Sequence, residues 1–185
     1  RAIIIDDFYE DPDAVRSFAL KQFFTCDNYE HGGVGCRTRK QFLFDGVKER
    51  FEQILGKKII QWNEKYGICG VFQWGKSGIP SVYHADVQQW AAMIFLTPDA
   101  PFASGTKLIA NKKNKIYHTT QTPNILDCFP QQETWTDGTL FEDVDTFGNV
   151  YNRLVLFDAQ CLHSAVDYFG HDINTGRLWQ MFFFD

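Results

Sequence analysis

The chain has 185 residues, 44% hydrophobic and 16% aromatic against 22% charged, a balance that excludes a disordered chain and suits one domain with a real core. The formal net charge is -5 and the one dense basic run is Lys112, Lys113 and Lys115, which argues against nucleic acid as the main partner. No apolar run approaches the ~20 residues that span a bilayer.

Residues 2–8 read as a strand, with Ile3, Ile4 and Ile5 in succession. They are too few and too acidic for a signal peptide. Asp11-Pro12 reads as a helix start, an acidic cap followed by proline at the first helical position. Val15, Phe18, Ala19 and Phe23 continue at helical spacing. The stretch with His31, Gly32 and Gly33 reads as loop. Val47, Phe51, Ile54 and Leu55 then recur at the spacing of one helix face, and Gly56 is placed to end that helix.

From Ile59 onward the pattern changes to short aromatic and β-branched runs punctuated by Gly, Pro and Asn. Strands are expected over 59–63, 67–74, 82–88, 90–97, 106–110, 153–157, 162–168 and 177–184. The fold class is therefore mainly β with N-terminal helices (α+β), its core a double-sheet sandwich or jelly roll. We expect one domain over 1–185, with 1–58 as helical support and 59–185 as the jelly-roll core. Residues 119–152, with Pro123, Pro130, Gly138 and Gly148, are the least regular and read as an excursion over the barrel mouth.

The cysteines are Cys26, Cys36, Cys69, Cys128 and Cys161, with no C-x-x-C spacing. A zinc-finger or redox motif has no support. Free, mostly buried thiols in a reducing compartment are expected, hence a cytoplasmic location.

Val82-Tyr83-His84-Ala85-Asp86 carries the chemistry. Residues two apart on a strand share a face, so His84 and Asp86 can reach one metal ion. His163, opening a later strand, is the candidate third ligand. Two imidazoles and one carboxylate leave coordination positions open, the arrangement used by iron(II) that must bind a co-substrate and oxygen together. Arg177, opening the last strand, can clamp a dicarboxylate bidentately. The formal charges of a divalent metal, Asp86, a dicarboxylate and Arg177 cancel, which makes a closed site cheap to desolvate. Gln73, Tyr83 and Gln88 lie near the metal strand as candidate co-substrate contacts. Trp90 and Trp179 are candidate pocket walls, and His118 is expected to be exposed.

On these residues the stretch 59–185 resembles the 2-oxoglutarate/iron(II)-dependent dioxygenase superfamily, in its prolyl-hydroxylase-like branch. Ile4-Ile5-Asp6-Asp7-Phe8-Tyr9 with Asp11-Pro12-Asp13 resembles the opening common in that branch. Trp90-Ala91-Ala92-Met93-Ile94-Phe95-Leu96 resembles the strand after H-x-D. Ser104-Gly105-Thr106 resembles a Gly-Gly-Thr-type turn. The run from Asn149 to Asp158, leading into Leu162-His163-Ser164-Ala165, resembles the approach to the distal histidine. The likeness extends to a small group of such proteins from phage and marine bacterial genomes. It implies a double-stranded β-helix core of the cupin-like kind, Fe(II), 2-oxoglutarate as co-substrate and O2. It also implies hydroxylation of an unidentified substrate (small molecule, amino acid or protein side chain) with release of succinate and CO2. Halogenating relatives replace the aspartate with a small residue, so Asp86 favours hydroxylation. Two departures stand out. Trp179 occupies a position where many relatives carry a small hydroxyl residue, and the loop before Arg177 is long, which makes His171 a second candidate for the clamp. A non-catalytic jelly-roll binding module and a 2-oxoglutarate-independent cupin-type metalloenzyme remain as alternatives.

Overall fold

The computed structural model describes residues 2–26, 35–62, 67–129 and 135–185. The loop reading of His31, Gly32 and Gly33 lies outside them. In chain order the elements are β1 (Ala2–Ile5), α1 (Pro12–Ala19), β2 (Phe24–Thr25), β3 (Cys36–Thr38), α2 (Val47–Leu55), β4 (Val71–Gly75), β5 (Trp90–Phe95), β6 (Thr106–Asn111), α3 (Ile125–Cys128), β7 (Phe141–Phe147), β8 (Leu154–Asp158), β9 (His163–Ala165) and β10 (Arg177–Phe184).

Both N-terminal helices have local causes. The Asp11 carboxylate accepts the Ala14 N–H at 2.9 Å, and Pro12 follows at a position whose own N–H is not needed. α2 ends where Gly56 takes a left-handed conformation, φ 66°, and its N–H turns back to Gln53 and Glu52 carbonyls.

The strands form an antiparallel seven-stranded sheet, β1-β8-β5-β10-β4-β3-β2, and a three-stranded sheet, β7-β6-β9. This two-sheet, mainly β architecture is the jelly roll. β1, β2 and β3 bond into the large sheet, so the first third of the chain supplies strands as well as helices. Strand alternation gives the large sheet two different faces. One carries Phe72, Ala92, Ile94, Leu154, Leu156, Leu178, Phe182 and Phe184, packed with Ala19, Val47 and Phe51 of the helices. The other carries Val71, Ala91, Phe95, Val155, Phe157, Trp179 and Met181, clustered with Leu108 of the small sheet. Each fully buried Leu, Ile or Phe contributes about 1.5–3 kcal/mol, so the helix-side face anchors the fold.

Four expectations need correction. Residues 82–88 do not form a regular strand. Tyr83 N–H bonds to Trp135, His84 exchanges bonds with His163 and Asp86 N–H bonds to Ala159, so successive amides meet different segments. Residues 59–62 make no ladder either; Ile60 and Gln61 tie to the backbone of Asp185. The irregular 119–152 stretch contains a strand, β7, paired with β6. Its Glu142, Asp143 and Asp145 are the charges expected on an edge strand, and they hide its alternation. Finally, Cys26 and Cys36 form a disulfide. The β2–β3 register pairs Thr25 with Arg37, which brings the next residues on either side opposite each other. Cys69, Cys128 and Cys161 are buried thiols. The expectation of free thiols therefore holds for these three and not for Cys26 and Cys36. Among the described residues no helix is long and apolar enough to cross a membrane.

Candidate metal centre

His84 and His163 face each other across a single antiparallel bridge, with ring centroids 4.2 Å apart. Asp86 completes the group: its Oδ1 lies 3.9 Å from His84 Nε2 and its Oδ2 3.2 Å from His163 Nε2. One donor atom from each residue falls within 4.8 Å of the others. The Nδ1 atoms of His84 and His163 lie 3.1 and 2.9 Å from the carbonyls of Val82 and Cys161. A carbonyl only accepts, so both Nδ1 atoms carry the proton and both Nε2 atoms offer a lone pair to the centre.

The electrostatics agree. Burial, reinforced by His163, pushes the His84 imidazole down to about 4, so it is neutral, as ligation requires. Burial alone would raise the Asp86 carboxyl, but His163, His84 and Arg37 together hold it below its ordinary value. Asp86 Oδ2 is buried without a hydrogen-bond partner. An orphaned carboxylate oxygen facing the lone pair of the His163 imidazole is costly by itself and is relieved by a cation. The donor set therefore fits a divalent metal.

The three donors open into a cavity of about 580 Å³, the size of a small-molecule site. Among the described lining residues the charged ones are Arg37, Asp86 and Arg177. Arg177 is 1% exposed, and among the described residues no carboxylate pairs with it. Its Nη2 donates to the Gly105 carbonyl at 3.2 Å, while its Nε is buried with no acceptor. The rings of Phe95, Tyr168 and Trp179 stand 5.5, 5.3 and 4.8 Å from the guanidinium carbon. A buried guanidinium with an unanswered N–H is a prepared anion site. Two glycines allow close backbone packing around it. A Cβ on Gly105 would lie 1.8 Å from the Phe147 carbonyl, and one on Gly75 would lie 2.5 Å from the Tyr168 ring.

The structure treats the other expected residues unevenly. Gln73 is buried on the cavity side, its Oε1 accepting from Arg37 Nε at 2.9 Å. Tyr83 lines the cavity with its ring stacked on Phe141, centroids 5.1 Å apart. Gln88 is buried away from the cavity lining. Trp90 packs with the helix-side cluster, because β5 turns its even residues that way, whereas Trp179 lines the cavity. His171 is exposed and outside it. His118 is not exposed as expected: its side chain is 17% accessible. His118, Asp158 and Cys161 form a second group with close donor atoms. There the ring has the opposite tautomer. Nδ1 accepts the Thr120 N–H at 3.2 Å, so Nε2 donates to Asp158 at 3.2 Å and the group closes on itself.

Sequence reading missed Arg37, Tyr168 and an apolar lip of Ile125, Phe129 and Trp135. Arg37 had one faint signal, a charge between Cys36 and Thr38, both of which are buried.

No protein-family model and no curated protein matches the sequence. Solved structures do match. HygX from Streptomyces hygroscopicus, with nickel and 2-oxoglutarate bound, superposes with a TM-score of 0.62 at 9% identity, over 98% of this chain and 81% of that one. A prolyl hydroxylase from Trichoplax adhaerens, in complex with a hypoxia inducible factor peptide, gives 0.56 at 10% identity, over 100% and 83%. A Pseudomonas putida prolyl-4-hydroxylase gives 0.51 at 13% identity, over 99% and 91%. The chain has the jelly-roll fold of these oxygenases.

Proposed function

We propose that this chain is an Fe(II)- and 2-oxoglutarate-dependent oxygenase that hydroxylates a C–H bond of its substrate. The observation that carries the reading is the pairing, in one cavity, of a two-histidine, one-carboxylate group with a buried guanidinium that lacks a carboxylate partner among the described residues. The HygX structure, which shares the fold, holds nickel and 2-oxoglutarate. His84, Asp86 and His163 would hold the metal. When bound, it supplies oxygen activation coupled to decarboxylation, so that C–H, O2 and 2-oxoglutarate become C–OH, succinate and CO2.

The rest falls to this chain's own residues. Arg177 binds the far carboxylate of 2-oxoglutarate, and the Gly105 carbonyl and three rings fix its direction. Gln73 and Tyr83, on the cavity wall, are proposed contacts for the other end. The Val82 and Cys161 carbonyls hold the two imidazoles in the ligating tautomer. Phe95, Phe157, Trp179 and Met181 exclude water from the deep end. Asp86 is a carboxylate where halogenating members of the superfamily this chain resembles carry a small residue, which favours hydroxylation over halogenation.

The test is anaerobic addition of Fe(II) and 2-oxoglutarate, followed by their visible charge-transfer absorption, then succinate formation when oxygen is admitted. The expected result is absorption and slow succinate release in wild type, with loss of the absorption in His84→Ala and weaker 2-oxoglutarate binding in Arg177→Met. Full metal loading with neither signal in wild type would overturn the reading in favour of a binding module. Succinate-independent turnover that survives Arg177→Met would favour a metalloenzyme without 2-oxoglutarate.

A further inference from the structure

The lip of Ile125, Phe129 and Trp135 has no part in the chemistry above. Ile125, Cys128 and Phe129 recur at the spacing of one helix face. The inner end of that face is held without Ile125. Cys128 is fully buried, and Phe129 packs on Phe141 with centroids 6.0 Å apart. Asn111 Nδ2 donates to the Asp127 and Cys128 carbonyls, both at 3.2 Å. Ile125 stands beyond these contacts, 53% exposed at the cavity. Trp135 is fixed through its backbone. Its carbonyl accepts the N–H of Tyr83, the residue before His84, at 2.7 Å, yet its side chain is left 40% exposed at the cavity.

Core packing does not explain this division. Single exposed apolar side chains are ordinary, and Leu126, 47% exposed and off the cavity, is one of them. Ile125 and Trp135 differ because they line the same cavity as Phe129 and the His84, Asp86 and His163 group. Lining residues that are half exposed stand where the cavity meets water, so a molecule bound there covers them. Large apolar surface left open at such a place marks a surface for a ligand. The three side chains offer aromatic rings and a branched alkyl chain, and no charge. A charged group laid on them would lose its water without gaining a partner. The cavity, about 580 Å³, has the size of a site for small molecules.

Resting on the oxygenase reading, we infer that Ile125, Phe129 and Trp135 are substrate-binding residues, and that the primary substrate is a small molecule with an uncharged, apolar group that lies on this lip while the carbon to be oxidised lies further in.

The test measures binding. Wild type, loaded with Ni(II) and 2-oxoglutarate, is titrated with phenethyl alcohol, isoamyl alcohol and ethanol, which share a hydroxyl and differ in the apolar part. The two larger alcohols are expected to bind at least about tenfold more tightly than ethanol, the worth of burying a ring or a branched chain. Ile125→Ser and Trp135→Ser each weaken both by about threefold or more. Leu126→Ser, similarly exposed but off the cavity, leaves them as in wild type. The affinity for 2-oxoglutarate, read from Fe(II) charge-transfer absorption without oxygen, and the apo melting temperature stay unchanged in all three variants. Equal binding of the three alcohols, or binding of none, overturns the inference, and so do lip variants that bind as wild type does or a Leu126→Ser that loses as much. A lowered melting temperature in the lip variants makes the lip structural and also overturns it. In each of these cases the absorption keeps the oxygenase reading standing. If wild type gives no 2-oxoglutarate-dependent absorption, both fall together.

Discussion

The two faces of β10 do different things with their polar groups. Toward the helices it presents Leu178, Gln180, Phe182 and Phe184, and even the polar member is satisfied. Gln180 accepts from the Tyr9 hydroxyl at 2.6 Å and donates to the carbonyls of Phe42 and Gly70 at 2.8 and 3.1 Å. Toward the cavity it presents Arg177, Trp179, Met181 and Phe183, and there the guanidinium Nε has no acceptor. One strand thus alternates, residue by residue, between the helix-side core and the cavity wall. On this strand the hydrogen bonds of the helix-side polar residue are closed, and the cavity-side guanidinium keeps one open.

The sharpest way to break this contrast is Phe182→Ala. Phe182 is fully buried against Phe51 and Trp62, with centroids 5.2 and 5.8 Å away. Chemical denaturation should show a loss of about 3–5 kcal/mol, with 2-oxoglutarate affinity unchanged in the folded fraction. Arg177→Met, five residues earlier on the other face, should do the reverse. It should cost about 2–5 kcal/mol of 2-oxoglutarate affinity while leaving the apo melting temperature unchanged or higher, since an unpaired buried charge is removed. A clear apo destabilisation would mean that Arg177 is structural. Gln180→Leu strands the Tyr9 hydroxyl and the Phe42 carbonyl, while the Gly70 carbonyl keeps the Phe42 N–H, and should cost about 1–3 kcal/mol of stability, measured the same way.

A pH titration of the metal-free protein is expected to have a smaller effect. The folded state holds His84 at about 4 against an ordinary 6.5, so protons favour the unfolded chain. The contribution of neutral His84 is fully present above about 6.5 and is lost as the pH falls through about 4. His84→Gln should flatten that part of the profile. Least of all, Trp135→Ala at the exposed lip should shift stability by no more than ~0.5 kcal/mol. A larger change would make the lip part of the core.

What the sequence made legible was whatever a single element decides. β10 was expected over 177–184 and is found at Arg177–Phe184, because a long aromatic run at the centre of a sheet announces itself. The two N-terminal helices were legible from a proline, a cap and a glycine. His84, Asp86 and His163 could be nominated from spacing and strand order. The rest depended on tertiary placement. Residues 82–88 keep His84 and Asp86 on the cavity although their amides bond to separate segments. Tyr168 and Arg37 reach the site only through the crossing of strands far apart in sequence, and the Cys26–Cys36 bond through the β2–β3 register. β7 was hidden by its acidic residues.

β10 also follows the other nine described strands in sequence, yet it occupies the middle of the large sheet, between β5 and β4. On a translating ribosome the earlier strands can only gather as two partial ribbons, β1-β8-β5 and β4-β3-β2, with a gap where the central strand belongs. Long-range pairings of this kind close slowly. The same late strand brings Arg177, so a nascent chain cannot place the buried guanidinium in the cavity until its framework is joined.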